Sequence, residues 1–207
     1  MPAETRLPVD VKPKHIATVP PGITNPERRH IRNPVQKNWA TVQKYGRETN
    51  GAYGVGVTSV APGGKNDGHF HGSYSETFTS LKGNVGIYTK SRGRIILKEG
   101  ESATVPPREE HYWFNDGDEE VEIEVKIEPA MEGFEKGLYV MYGLAQDGKG
   151  GNAGVANSIV DTAIICSMAD MWPGGVIGTT LIPLLKSLAW VGRKTGKEDK
   201  LLKKYWA

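Results

Sequence analysis

Between residues 121 and 127 the chain reads Val-Glu-Ile-Glu-Val-Lys-Ile, apolar and charged in strict alternation. Successive side chains of an extended strand point to opposite faces, so this stretch predicts a strand with one face in a core and one in solvent. Shorter β-branched and aromatic runs, bounded by Gly and Asn, repeat the signal at 40–45, 52–60, 76–81, 85–90 and 94–97. Many short strands joined by Gly-containing turns predict a β-sandwich or small barrel. Beyond residue 133 the character changes. Asp147-Gly-Lys-Gly-Gly-Asn-Ala-Gly is a flexible break, and Ser158-Ile-Val-Asp161 opens a helix in the manner of a capping box. The apolar residues of that helix are Ile159, Val160, Ala163, Ile164, Cys166 and Met168, and Trp172-Pro-Gly-Gly is expected to stop it. A second helix is expected over 181–194, with Pro183 in its first turn and Gly196 near its end, then a short basic helix closing at Tyr205-Trp206. Ahead of residue 39 neither period is visible, and prolines at 2, 8, 13, 20, 21, 26 and 34 block both helix and central strand. The chain therefore divides into a proline-rich arm (1–38), a β-barrel (39–145), and a linker with a helical C-terminal extension (146–207).

Composition narrows the reading. With 207 residues, 38% of them hydrophobic, the chain can bury one real core plus appendages. A net charge of +2 argues against nucleic acid as the main partner. A single cysteine, Cys166, excludes an internal disulfide framework and fits a reducing compartment. Met-Pro-Ala-Glu-Thr-Arg-Leu-Pro has no apolar core of the secretory kind, so a cytoplasmic protein is expected. The apolar run 176–191, followed by Arg193, Lys194, Lys197, Lys200, Lys203 and Lys204, raises the question of a membrane. The run is shorter than the roughly 20 residues of a span and is broken by Pro183 and Lys186. Membrane-surface contact is therefore not the expectation; packing on the parent protein or across a homodimer interface is.

The chemistry concentrates at residues 63–83. His69-Phe-His71 puts two imidazoles on one face of a strand with Phe70 opposite. A turn at 72–75 would return Glu76 beside them, and His111 is a fourth candidate. His15 and His30, in the arm, read as surface residues. Three imidazoles and a carboxylate suit one divalent transition metal: iron first, with manganese, nickel, copper, cobalt or zinc as alternatives. Cys166 lies far off in the tail, so no thiolate joins the set and a structural zinc site is not indicated.

The spacing resembles that of the cupins. Gly63, His69, His71, Glu76 and Gly83 match every fixed position of that family's first motif, G-x5-H-x-H-x3,4-E-x6-G. Gly100, Pro106, His111 and Asn115 match the second, G-x5-P-x-G-x2-H-x3-N, with Arg108 in place of its glycine. Because a left-handed backbone is costly for Arg, the turn at 108 is expected to differ in conformation from the family's. The resemblance covers roughly residues 40–130. It implies a mainly β fold, a double-stranded β-helix (jelly-roll) barrel, with a metal held by His69, His71, Glu76 and His111. Glu76 doubles as the catalytic candidate, because a carboxylate can serve as ligand or as base.

Alternation brings Phe78 inward with Glu76, and Trp113 with His111, while Val121, Ile123, Val125 and Ile127 supply a further apolar wall. A small apolar or aromatic substrate is the expectation, with Phe78 and Trp113 beside it and Arg108 free to meet a carboxylate at the mouth. Tyr74, Glu109, Glu110 and Tyr112 are further proton-transfer candidates. The leading expectation is a non-haem dioxygenase-type oxidoreductase. The alternatives are a redox-neutral isomerase, decarboxylase or lyase, and a non-catalytic ligand-binding protein.

Overall fold

The computed structural model describes residues 19–151 and 156–207; His15 and the end of the break at 147–154 lie outside them. Two antiparallel sheets form the body. The first runs in the order β1 (His30–Asn33), β2 (Asn38–Lys44), β3 (Gly54–Val60), β10 (Val121–Glu128), β5 (Ser75–Lys82), β8 (Ser102–Val105). The second runs β11 (Met171–Pro173), β4 (His69–His71), β9 (His111–Phe114), β6 (Val85–Thr89), β7 (Gly93–Leu97).

The alternating stretch is β10, placed between β3 and β5, where Val121, Ile123 and Ile127 are buried. Val60, Phe78 and Ile123 of the first sheet meet Val85, Ile87 and Trp113 of the second in one core, the two-sheet packing that the strand pattern predicts as a sandwich or small barrel. The first sheet reaches back into the proline-rich segment. Residues 30–33 form its edge strand, pairing Ile31 with Ala40, and Pro34 follows at once, where no ladder bond is required.

Among the described residues, five α-helices complete the fold: α1 (Pro21–Thr24), α2 (Glu132–Gln146), α3 (Ile159–Ala169), α4 (Gly175–Lys194) and α5 (Lys197–Tyr205). Ser158 caps α3 as expected, its side chain accepting from the Asp161 N–H. Three expectations need correction. Residues 132–146, assigned to the barrel, are helix α2. Its glycines disguise it in the sequence, and they are what admit close neighbours: a Cβ on Gly137 would stand 2.8 Å from Cβ of Ala169. Second, Trp172-Pro173 does not merely end α3. It forms β11 and pairs with the His-x-His strand, Met171 with His71 and Pro173 with His69. Third, α4 begins at Gly175, not 181, so Pro183 lies in its interior. The cost of a mid-helix proline is offset by packing on α3, where Leu185, Ala189 and Gly192 are buried.

Candidate metal centre

β4 is only three residues long, and its pleat decides the site: His69 and His71 are buried on one face. In the ladder between β4 and β9, His69 stands directly opposite His111. Glu76 belongs to β5 in the other sheet, where its register partner is Val105. The cluster thus spans the two sheets, with imidazoles from one and the carboxylate from the other. One ligand atom from each of the four residues falls within a group whose members all lie within 4.8 Å of one another, and all four residues are buried.

Glu76 Oε2 lies 3.0 Å from His71 Nε2 and 2.8 Å from His111 Nε2. His69 Nδ1 sits 2.7 Å from the Asp67 carbonyl and His111 Nδ1 2.9 Å from the Glu109 carbonyl. A ring that donates Nδ1–H to a backbone carbonyl presents Nε2 as a ligand, and its orientation is fixed. His71 is held differently. Its Nδ1 is buried without a hydrogen-bond partner, and its ring stacks on Tyr74 at 4.3 Å.

Electrostatics follow from this geometry. Burial alone would favour the neutral carboxyl of Glu76, but the hydrogen bonds from His111 and His71 outweigh it and hold the group well below the usual carboxylate range. Burial likewise opposes a charged His111, yet the hydrogen bond and charge of Glu76 raise it above an ordinary histidine. Burial, reinforced by the charges of His111 and His71, pushes His69 well down. A buried carboxylate among three imidazoles is a donor set of one hard and three borderline ligands, and it fits a divalent transition cation.

Next to the cluster lies a cavity of about 270 Å³ whose walls include His69, Glu76, Trp113, Val125 and Ile127. The opposite wall comes from elements the strand pattern did not reveal: Phe134, Glu135 and Leu138 of α2, Thr162 and Cys166 of α3, and Met171 and Trp172 of β11. A helical signal was present in α2, with Phe134, Leu138, Met141, Tyr142 and Ala145 recurring at three- and four-residue spacing. Glu135 accepts from the Gly46 N–H at 2.7 Å, and burial pushes its carboxyl up to about 7.

The other expected residues take distinct places. Phe78 is fully buried in the core, its ring 5.8 Å from that of His111. Arg108 lines a separate cleft with Phe70, Lys90, Glu110 and Trp172. It does adopt the left-handed conformation of the glycine it replaces, φ 69°, against the expectation of a different turn; its N–H donates to the His71 carbonyl at 2.6 Å, and that bond holds the bend. Tyr112 stacks on Tyr88, Glu109 accepts from the Ser91 N–H and Glu110 from the Gly175 N–H. The extension is tied to the site through Asp170, whose carboxylate accepts from the Gly72 N–H, the Ser73 hydroxyl and the Trp172 indole.

The family model for the Cupin domain matches residues 56–127. No curated protein matches the sequence. Among solved structures, a sugar phosphate isomerase of the cupin superfamily from Silicibacter pomeroyi aligns at 19% identity and TM-score 0.40, over 45% of this chain and 60% of that one. The chain thus spans less than two thirds of that protein's length. An uncharacterized conserved protein with a double-stranded β-helix domain from Klebsiella pneumoniae aligns at 21% identity and TM-score 0.42, over 48% of this chain and 84% of that one. A polyketide cyclase from Streptomyces resistomycificus aligns at 17% and 0.41, covering 44% and 65% respectively. The segment that the Cupin domain model matches, residues 56–127, is the one that brings His69, His71, Glu76 and His111 into one buried cluster, and α2 to α5 follow it in the chain.

Proposed function

We propose that the protein is a metal-dependent enzyme acting on a small apolar or aromatic molecule, and that its chemistry is that of a non-haem dioxygenase with iron as the resident metal. The observation that carries this reading is the adjacency of the four-ligand cluster to an apolar cavity large enough for a single-ring substrate. His69, His71, Glu76 and His111 would hold the cation, which supplies a Lewis acid and, as iron, one-electron chemistry. Trp113, Phe134 and Met171 give the substrate an apolar wall and keep water from it. Few charged groups reach the cavity, which favours aromatic or aliphatic ligands over sugar phosphates.

A second reading has its own support. Glu135 lines the same cavity with a carboxyl that exchanges its proton near neutral pH, as a general acid–base would in a redox-neutral isomerase or lyase. Oxygen separates the two. The iron-loaded protein, given aromatic probes that carry two adjacent oxygens, should consume dioxygen and form no product in oxygen-free buffer. Product at an undiminished anaerobic rate, supported equally by zinc, would replace the oxygenase with Lewis-acid chemistry.

A further inference from the structure

Helix α4 is apolar on both sides. Leu185, Ala189 and Gly192 are buried against α3, so closely that a Cβ on Gly192 would stand 2.6 Å from Ile164. Beside that buried face the helix leaves Val176, Ile177, Leu181, Leu184, Trp190 and Val191 exposed by 82%, 78%, 43%, 49%, 58% and 43%. Positions 177, 181, 184 and 191 follow a single helical stripe, with 176 next to it at the start of the helix, while Trp190 stands off the stripe near the other end. The helix is 20 residues long and apolar enough to cross a bilayer, yet only 17% of its most apolar stretch is buried. A helix apolar all round is normally covered on every side.

Charge indicates what covers it. Residues 175–207 hold seven Lys or Arg and two acids, a net +5 in a chain whose total is +2, so the remaining residues carry −3. Within α4 every charge is positive: Lys186, Arg193 and Lys194. Two copies of such a helix would bring like charges together, whereas an anionic surface would complement them. Lys194 also lies over the Trp190 ring at 5.9 Å, which sets an aromatic and a cation side by side near one end of the helix, as at a lipid headgroup boundary.

We propose that α4 docks the protein onto an anionic lipid surface, lying in the plane of the interface. Spanning would strip away its packing on α3; docking uses only the face that is already free. α4 continues as one helix through Pro183 and Lys186, so its exposed side chains are held on a single rigid element.

The full chain should sediment with phosphatidylcholine vesicles that contain phosphatidylserine, hardly at all with phosphatidylcholine alone, and less at high salt. Ile177→Asp with Leu184→Asp, and separately Lys194→Glu, should each weaken partitioning at least about tenfold while thermal unfolding and metal content stay unchanged. Absence of binding, or binding indifferent to phosphatidylserine, overturns the proposal. So does a dimer in lipid-free solution that the Ile177→Asp/Leu184→Asp pair dissociates, since the face then belongs to a second copy.

Discussion

A single oxygen of Glu76 lies between the imidazoles of His71 and His111, and its ionisation is sustained against burial by those two contacts. Glu135 is the contrasting carboxyl in the same cavity. Burial dominates there, the Gly46 N–H compensates only in part, and the group keeps its proton up to about pH 7. The linkage has a definite sign. The folded value lies above the ordinary 4.5, so the stabilising contribution of Glu135 is complete below that value and is lost as pH rises through 7. Metal-free protein should therefore lose stability between about pH 5 and 8 by up to roughly 3 kcal/mol from this residue. Glu135→Gln, which keeps an acceptor for Gly46, should flatten the profile of melting temperature against pH over that range. An unchanged slope would mean that the carboxyl is already ionised at low pH. The two residues also differ in how visible they are in the sequence. His69, His71 and Glu76 lie within a few positions of one another and His111 stands at the spacing of a second motif, whereas the burial of Glu135 arises only when α2 closes over the glycines at 46 and 54.

At the scale of elements, α2 shows why a helix could hide. Gly133, Gly137 and Gly143 each lower intrinsic propensity by about 1 kcal/mol relative to alanine. They sit where α2 touches its neighbours: a methyl on Gly133 would run into the Met168 carbonyl, and one on Gly143 into the Tyr205 ring. Gly133→Ala should therefore destabilise the protein. The propensity gain of about 1 kcal/mol opposes an overpacking cost of about 1–3 kcal/mol against a backbone atom that cannot rotate away. Urea unfolding reads the sign directly, and a stabilised variant would mean that α2 and α3 are not in this contact. β2, β3, β5, β6, β7 and β10 were legible because each carries alternation or β-branched runs bounded by turn residues, whereas β1 lies in the proline-rich segment and β8 is only four residues long. β11 was not legible either, since Met-Trp-Pro is too short for any period and its pairing with β4 joins residues about 100 positions apart.

For the whole molecule, the helical extension is part of the site. Asp170 fastens the turn after the His-x-His strand through two hydrogen bonds and holds the Trp172 indole with a third, and Tyr74, stacked on His71, donates to the Ala169 carbonyl at 2.9 Å. Asp170→Asn tolerates the left-handed backbone there (φ 48°) but replaces one carboxylate oxygen with a donor. It should lower metal affinity about tenfold in a chelator competition with the fold retained, as loss of an orienting partner does; unchanged affinity would show that the extension does not position the ligands. The boundary placed at 146 divides a unit that packs as one, because composition marks where the chain changes character and not where its pieces meet. All of this rests on the four-residue cluster holding a metal. Elemental analysis of the purified, iron-reconstituted protein decides that point: the wild type should carry about one divalent transition metal per chain, and His71→Ala and His111→Ala should each lose most of it while keeping the native circular dichroism spectrum. Folded variants with the wild-type metal content would contradict the account.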